Sequence, residues 1–242
     1  LYSDRCKEFQ TEEGMQKAIE TCKKNNIDAI VAIGGDGTFR GATDLSLRGI
    51  PTIGVTGSID NDITATDYTV GFDTAMNSVL NAVDQLRDTA ESHQMCMIVE
   101  VMGRDCGEIA LMTGIASGAA AVVIPEVPFD EAYAVKHLQE LRASGKRNLL
   151  VIVSEGVKTA DGQPIGESLT KKIEAETGIE TRFARFAHIV RGGSPTLRDR
   201  FHAAELGANA VERLLEGMSN IVMVVKNNEI VPIDINFALV TD

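Results

Sequence analysis

The sequence predicts an α/β protein built on mostly parallel sheet, with helices on both sheet faces. Three observations predict it. Apolar runs of strand length recur along the chain, as at Ala29–Ile33, Ile50–Val55 and Gln94–Val101. Stretches with helical apolar spacing lie between them, and several runs break on glycine. Strands that alternate with helices form right-handed βαβ units.

The elements follow in order. Glu12–Asn25 reads as a helix capped by Thr11, with Glu12 and Glu13 in its first turn and Lys23 and Lys24 in its last, matching the helix dipole at both ends. Asp28–Ile33 does not alternate and reads as a strand buried on both faces. Thr38–Arg48 is a short helix and Ile50–Val55 the next strand. Asp73–Glu91 carries Ala75, Val79, Ala82, Val83 and Leu86 on one stripe, as a core-facing helix does. Gln94–Val101 is a third strand, followed by a small-residue helix over Asp105–Gly118 and a short strand over Ala121–Ile124. A helix over Phe129–Ser144, a strand over Asn148–Ser154 and a helix over Ile165–Thr177 come next. Arg182–Val190 reads as extended, Asp199–Glu216 as helix, and Ile221–Lys226 and Glu229–Pro232 as strands around an Asn-Asn turn.

Composition narrows the function classes. The 242 residues carry a net charge of −12, which argues against nucleic acid, since phosphate backbones need a basic face. The four cysteines, Cys6, Cys22, Cys96 and Cys106, are scattered; that is no disulfide framework or zinc site, and it fits a reducing cytoplasm. No uninterrupted apolar run reaches the roughly 18 residues of a membrane span. The chain starts at Leu1 rather than Met, and segments are expected to be missing at both ends.

Two strand ends carry the candidate chemistry. Gly34-Gly35-Asp36-Gly37-Thr38 places three glycines around one carboxylate. Backbone N–H groups of such a loop, with the helix that follows, suit phosphate. A carboxylate there suits phosphate only through a cation, so Asp36 reads as a Mg²⁺ ligand; the plainer alternative is a capping Asp in a tight turn. Gly57-Ser58-Ile59-Asp60-Asn61-Asp62 holds two carboxylates two residues apart. One can act as base toward a hydroxyl while the other supports orientation or metal; the plainer alternative is an Asx-rich turn. Arg5, Arg104, Arg182 and Arg191 lie at element ends, where guanidinium forks suit phosphate oxygens.

These motifs, with Glu100-Val101-Met102-Gly103-Arg104 and His188-Ile189-Val190-Arg191-Gly192-Gly193-Ser194-Pro195, in this order, resemble the signatures of ATP-dependent 6-phosphofructokinases of type A. The resemblance implies two three-layer α/β/α lobes with the active site in the cleft between them. It implies a nucleotide lobe over residues 1–71 plus about 192–232, and a sugar-phosphate lobe over 72–189 plus the C-terminal end. By the resemblance Asp60 is the general base, assisted by Asp62 and Arg104. Arg5, Cys6, Gly35, Asp36, Gly37 and Thr38 match nucleotide positions, with Asp36 on the metal. Ser58, Ile59, Asp60, Met102, Gly103, Arg104, Glu155, Arg182, His188 and Arg191 match sugar-phosphate positions, Arg182 reaching across from a neighbouring subunit.

The implied reaction moves the γ-phosphate of Mg-ATP to the 1-hydroxyl of fructose 6-phosphate, a step of glycolysis. Implied too are an allosteric cytoplasmic homotetramer, a dimer of dimers with its sugar site at a subunit interface, and no nucleic-acid or membrane partner. Gly37 and Gly57 stand where pyrophosphate-dependent members carry Asp and Lys, and so favour ATP. Met95 stands where bacterial members carry a second cross-subunit arginine, and losing a charged contact there weakens binding by ~1.5–3 kcal/mol. Ala120 replaces an acidic effector-site residue. The glycine-rich N-terminal strand and loop that usually complete the phosphate site are missing. The alternatives are an NAD- or lipid-type kinase sharing GGDGT, or a non-catalytic sugar-phosphate-binding subunit.

Overall fold

The computed structural model describes residues 6–159 and 161–239. They fall into two compact units. The first holds the described residues of Leu1–Ser58, Ile63–Val70 and Leu197–Asp242, and the second holds Ile59–Asp62 and Gly71–Thr196. The chain therefore changes unit briefly at Ile59–Asp62, which the sequence did not signal. It returns at Leu197 rather than near residue 192, and its C-terminal elements belong to the first unit rather than the second.

In the first unit the strand order is β1-β2-β8-β9. β1 (Ile30–Gly34), β2 (Thr52–Ser58) and β8 (Ile221–Lys226) run parallel, and β9 (Glu229–Asp234) returns antiparallel from β8. The two-residue β3 (Val70–Gly71) marks the passage into the second unit. α1 (Glu12–Lys24) starts where Thr11 Oγ1 accepts the Gly14 N–H at 3.1 Å. It buries Met15, Ile19 and Cys22 against Leu45 and Ile50. α2 (Asp36–Leu47) anchors Phe39 in the core, where Gly54 of β2 leaves room for its ring: an added Cβ would lie 2.8 Å from it. α7 (Leu197–Leu215) packs on β2, and α8 (Ile235–Leu239) packs on α2.

β1 corrects one expectation. It is only partly buried, and Ile33 is 62% exposed, because β1 ends the strand order and pairs with β2 alone among the described residues. α2 corrects another by starting at Asp36 rather than Thr38. Thr38 and Phe39 both donate their N–H to the Gly35 carbonyl, at 2.9 and 3.0 Å, so the first helical turn absorbs most of the glycine loop.

The second unit is an all-parallel sheet in the order β5-β6-β4-β7. β4 (Cys96–Val101) and β6 (Leu149–Ser154) are buried at every residue; β5 (Ala121–Val123) and β7 (Thr181–Arg185) flank them. α5 (Glu131–Ala143) and α6 (Ile165–Thr177) bring Leu138, Leu169 and Ile173 onto Ile98, Leu149 and Val151. Truncating one such leucine to alanine costs about 2–5 kcal/mol. α3 (Phe72–His93) and α4 (Glu108–Ser117) pack together. Small residues let α4 close on the sheet: a Cβ at Gly114 would sit 2.3 Å from Val122. The extended run expected to Val190 stops at Arg185, and His188–Arg191 forms a 3-10 turn. Phe186 makes the last sheet bond, to the Glu100 carbonyl at 2.8 Å, and β4 itself ends one residue further on.

Candidate active site

The described residues expected to hold the nucleotide lie in the first unit. Gly34 closes β1, and a Cβ there would strike Thr38 Oγ1 at 2.2 Å, so its missing side chain makes room for Thr38. Added Cβ atoms at Gly35 and Gly37 would meet nothing within 4 Å. The two glycines therefore leave open space at the N-terminus of α2, where first-turn N–H groups favour anions. Asp36 is the acidic residue of that turn. Gly57 lies across from β1, with its would-be Cβ 3.3 Å from Ile33. Ser58 is held through its carbonyl, which accepts the Thr69 hydroxyl at 2.7 Å. Cys6 is exposed, and Arg5 lies outside the described residues.

The residues expected to hold the sugar phosphate, Ser58 apart, lie in the second unit. β4 leads into Met102-Gly103-Arg104, and β6 into Glu155-Gly156. Gly103 takes φ +144, and a Cβ there would lie 2.4 Å from the Cys106 carbonyl. A Cβ at Gly156 would lie 2.3 Å from the Arg104 carbonyl. Gly103 thus serves the turn of its own loop, while Gly156 lets the second loop pass close against the Arg104 backbone. Glu155 Oε1 locks the two loops together by accepting the N–H groups of Gly103 and Arg104 at 3.3 and 3.0 Å. Glu155, a residue expected at the sugar phosphate, thereby also sets the shape of the Arg104 loop.

Asp60 is 4% exposed. Arg104 Nη2 lies 4.0 Å from Asp60 Oδ2, and Nη1 lies 3.5 Å from Asp62 Oδ2. The guanidinium is mostly exposed, so one cation faces both carboxylates and stays open to a further anion. Burial pushes the Asp60 carboxyl above its ordinary value, and the Asp62 charge adds to this. Arg104 and Arg191 pull the other way. A buried carboxyl with raised pKa is a better proton acceptor near neutrality than an ordinary aspartate.

Sequence reasoning missed how this loop is shaped. Asn61 takes φ +53, which asparagine tolerates better than most residues. Its Nδ2 donates to Glu108 Oε2 at 2.8 Å, at the start of α4. The Asn between two aspartates was the available signal; Glu108, 47 residues on, was invisible. Ile59 belongs to this unit. His188 and Arg191 lie exposed on the 3-10 turn beyond β7, and Ser78 Oγ fastens that turn to α3 by donating to the Gly192 carbonyl at 3.2 Å.

Arg182 is not brought to this group. It pairs with Met97 near the start of β4, about 13 Å along the strand from its end at ~3.3 Å per residue, and its side chain pairs with Glu180 at 2.5 Å. Met95 is buried just before β4.

The profile of the phosphofructokinase family matches residues 1–214. An ATP-dependent 6-phosphofructokinase of Clostridium novyi is 49% identical over 239 residues, which cover 99% of this chain and 73% of the relative. The chain belongs to the phosphofructokinase family. Phosphofructokinase from Saccharomyces cerevisiae superposes with a TM-score of 0.89 at 31% identity, covering 98% of this chain and 36% of the yeast chain. A pyrophosphate-dependent phosphofructokinase from Marinobacter aquaeolei shares the fold, with a TM-score of 0.82 at 22% identity over 96% of this chain and 64% of its own. The family places this chain among the phosphotransferases and does not favour the NAD- or lipid-kinase alternative. The fold alone does not select the phosphoryl donor.

Proposed function

We propose that the protein transfers the γ-phosphate of ATP to the 1-hydroxyl of fructose 6-phosphate, giving fructose 1,6-bisphosphate and ADP. The observation that carries this reading is the buried Asp60 with its raised pKa, beside the exposed Arg104, in a chain whose relatives are named for this activity. Asp60 takes the hydroxyl proton as the oxygen attacks the γ-phosphorus and the bond to the β-phosphate oxygen breaks. Asp62 holds Arg104 toward the site, and Arg104 offsets charge on phosphate oxygens. Met102, Gly103, His188 and Arg191 hold the sugar phosphate, with Ser58 and Ile59 at the edge of the base loop. Glu155 serves by fixing the Arg104 loop. On the donor side Gly35, Gly37 and Thr38 receive the phosphates, and Arg5 and Cys6 belong to the nucleotide.

Asp36 fits a Mg²⁺ site. No group of three or more His, Cys, Asp or Glu side chains among the described residues forms a metal cage. Magnesium at a nucleotide needs none, because one or two carboxylates, phosphates and water complete its shell. Open space at Gly35 and Gly37 leaves room for those phosphates. Bound there, the ion would neutralise charge on the transferred group.

The finer reading includes a homotetramer in which Arg182 serves a neighbouring subunit's sugar site. Its distance from Arg104 along the sheet is consistent with service elsewhere. Its cytoplasmic placement rests on four free cysteines and the glycolytic activity. Among the described residues no helix is long and apolar enough to cross a membrane. A coupled assay comparing ATP with pyrophosphate, and fructose 6-phosphate with other sugar phosphates, tests the reading. Turnover with ATP and fructose 6-phosphate supports it; binding of the sugar phosphate without turnover favours a non-catalytic subunit.

A further inference from the structure

Glu100 sits one residue before the end of β4, with its side chain only 6% exposed. Oε1 accepts Arg185 Nε at 2.5 Å. Oε2 is buried and has no hydrogen-bond partner among the described residues. Gly166 at the start of α6 lies over it: a Cβ there would be 3.3 Å from Oε2 and 2.4 Å from the Phe183 ring. A carboxylate in such surroundings is tolerated only with a cation at hand, and Arg185 is that cation.

Arg185 is the last residue of β7 and the register partner of Glu100. Its Nη2 lies 3.5 Å from Glu167 of α6, and its guanidinium lies 5.4 Å from the centre of the Phe183 ring. The pair therefore joins the ends of two neighbouring strands. From one springs the Met102–Arg104 loop, and from the other the His188–Arg191 turn. The apolar core does not need this link, since Ile98, Leu149, Leu169 and Ile173 hold the sheet to its helices.

We propose that Arg185 is a positioning residue: its ion pair with Glu100 fixes the spacing between the Arg104 loop and the Arg191 turn, and so sets affinity for the sugar phosphate. Arg185 touches neither substrate nor reacting atoms. The inference rests on the function proposed above.

The test is steady-state kinetics of the full-length protein with each substrate varied in turn. Arg185→Leu should raise KM for fructose 6-phosphate about tenfold or more and leave KM for ATP unchanged. Glu100→Gln, which weakens the same pair from the other side, should raise that KM likewise, and the double variant should be no more impaired than Arg185→Leu alone. A lower Tm with unchanged KM for fructose 6-phosphate would reduce Arg185 to a structural role and overturn the proposal. So would a double variant whose KM rise is the product of the two single rises, since the residues would then act independently. Should Arg185→Leu fail to fold, Arg185→Lys keeps a cation with poorer geometry; an intermediate KM rise supports the proposal and an unchanged KM overturns it. A parent that binds fructose 6-phosphate without turnover would sink the proposed reaction alone, and the same variants compared by binding constants would still decide the positioning role.

Discussion

An added Cβ at Gly35 or Gly37 meets nothing within 4 Å, whereas one at Gly103 or Gly156 would lie 2.4 or 2.3 Å from a backbone carbonyl. Both pairs of glycines follow parallel strands, and in sequence they look alike. In the first pair the missing side chains leave open space among the described residues. In the second they let backbone pack on backbone, within the turn at Gly103 and between two loops of the same unit at Gly156. Gly103 also needs its left-handed φ of +144, while Gly35 has an extended backbone that any residue adopts. A glycine loop thus has two distinct uses, and the space around the missing Cβ tells them apart.

The largest expected effect lies in the second unit. Asp60→Ser removes the proposed proton acceptor beside Arg104, and turnover should fall by roughly 10²–10⁴, the span of general-base catalysis. Substrate binding should change little, and near-normal turnover would remove Asp60 from the mechanism. Gly103→Ala comes next. Left-handed backbone strain alone amounts to about 1–3 kcal/mol, and each kcal/mol lowers Tm by roughly 2–4 °C in a chain of this size. The drop should be seen by calorimetry.

Gly35→Ala should behave in the opposite way. Its Tm should stay within about 2 °C of the parent, while KM for ATP rises about tenfold, or 1.4 kcal/mol. Equal Tm losses in the two alanine variants would erase the contrast between the loops.

The smallest effect is a pH dependence. The Asp60 pKa is raised from 3.8, first by burial and then by Asp62, so the fold favours its protonated form. That contribution to stability is present below the ordinary aspartate pKa and is lost as pH rises through the raised value. Asp60→Asn, which cannot ionise, should therefore melt above the parent at pH 7, with the gap closing in acid. In the parent, the acid limb of kcat/KM should lie above the usual aspartate range. A parent melting higher than Asp60→Asn at pH 7 would contradict the burial argument.

Much of this was legible in the sequence. Thr11 with Glu12 and Glu13 marked the start of α1, and the non-alternating runs in β4 and β6 marked a buried parallel sheet, because capping and side-chain period are local. The four signatures were legible as well, since each lies within a few residues of one strand end. Their relation to the two units was not. Nothing local shows that Ile59–Asp62 groups with residues 71–196 while the residues on either side of it belong elsewhere.

The sequence by itself determined the family, the strand-and-helix order and the identity of the chemical groups. All of these follow from residue type and short-range spacing. Tertiary structure alone decided what each group does. It buried Asp60 and so raised its pKa. It made Glu155 a latch on the Arg104 loop, and it paired Glu100 with Arg185 across 85 residues of chain. Desolvation and long-range pairing depend on which strands become neighbours, and no local pattern of side chains encodes that.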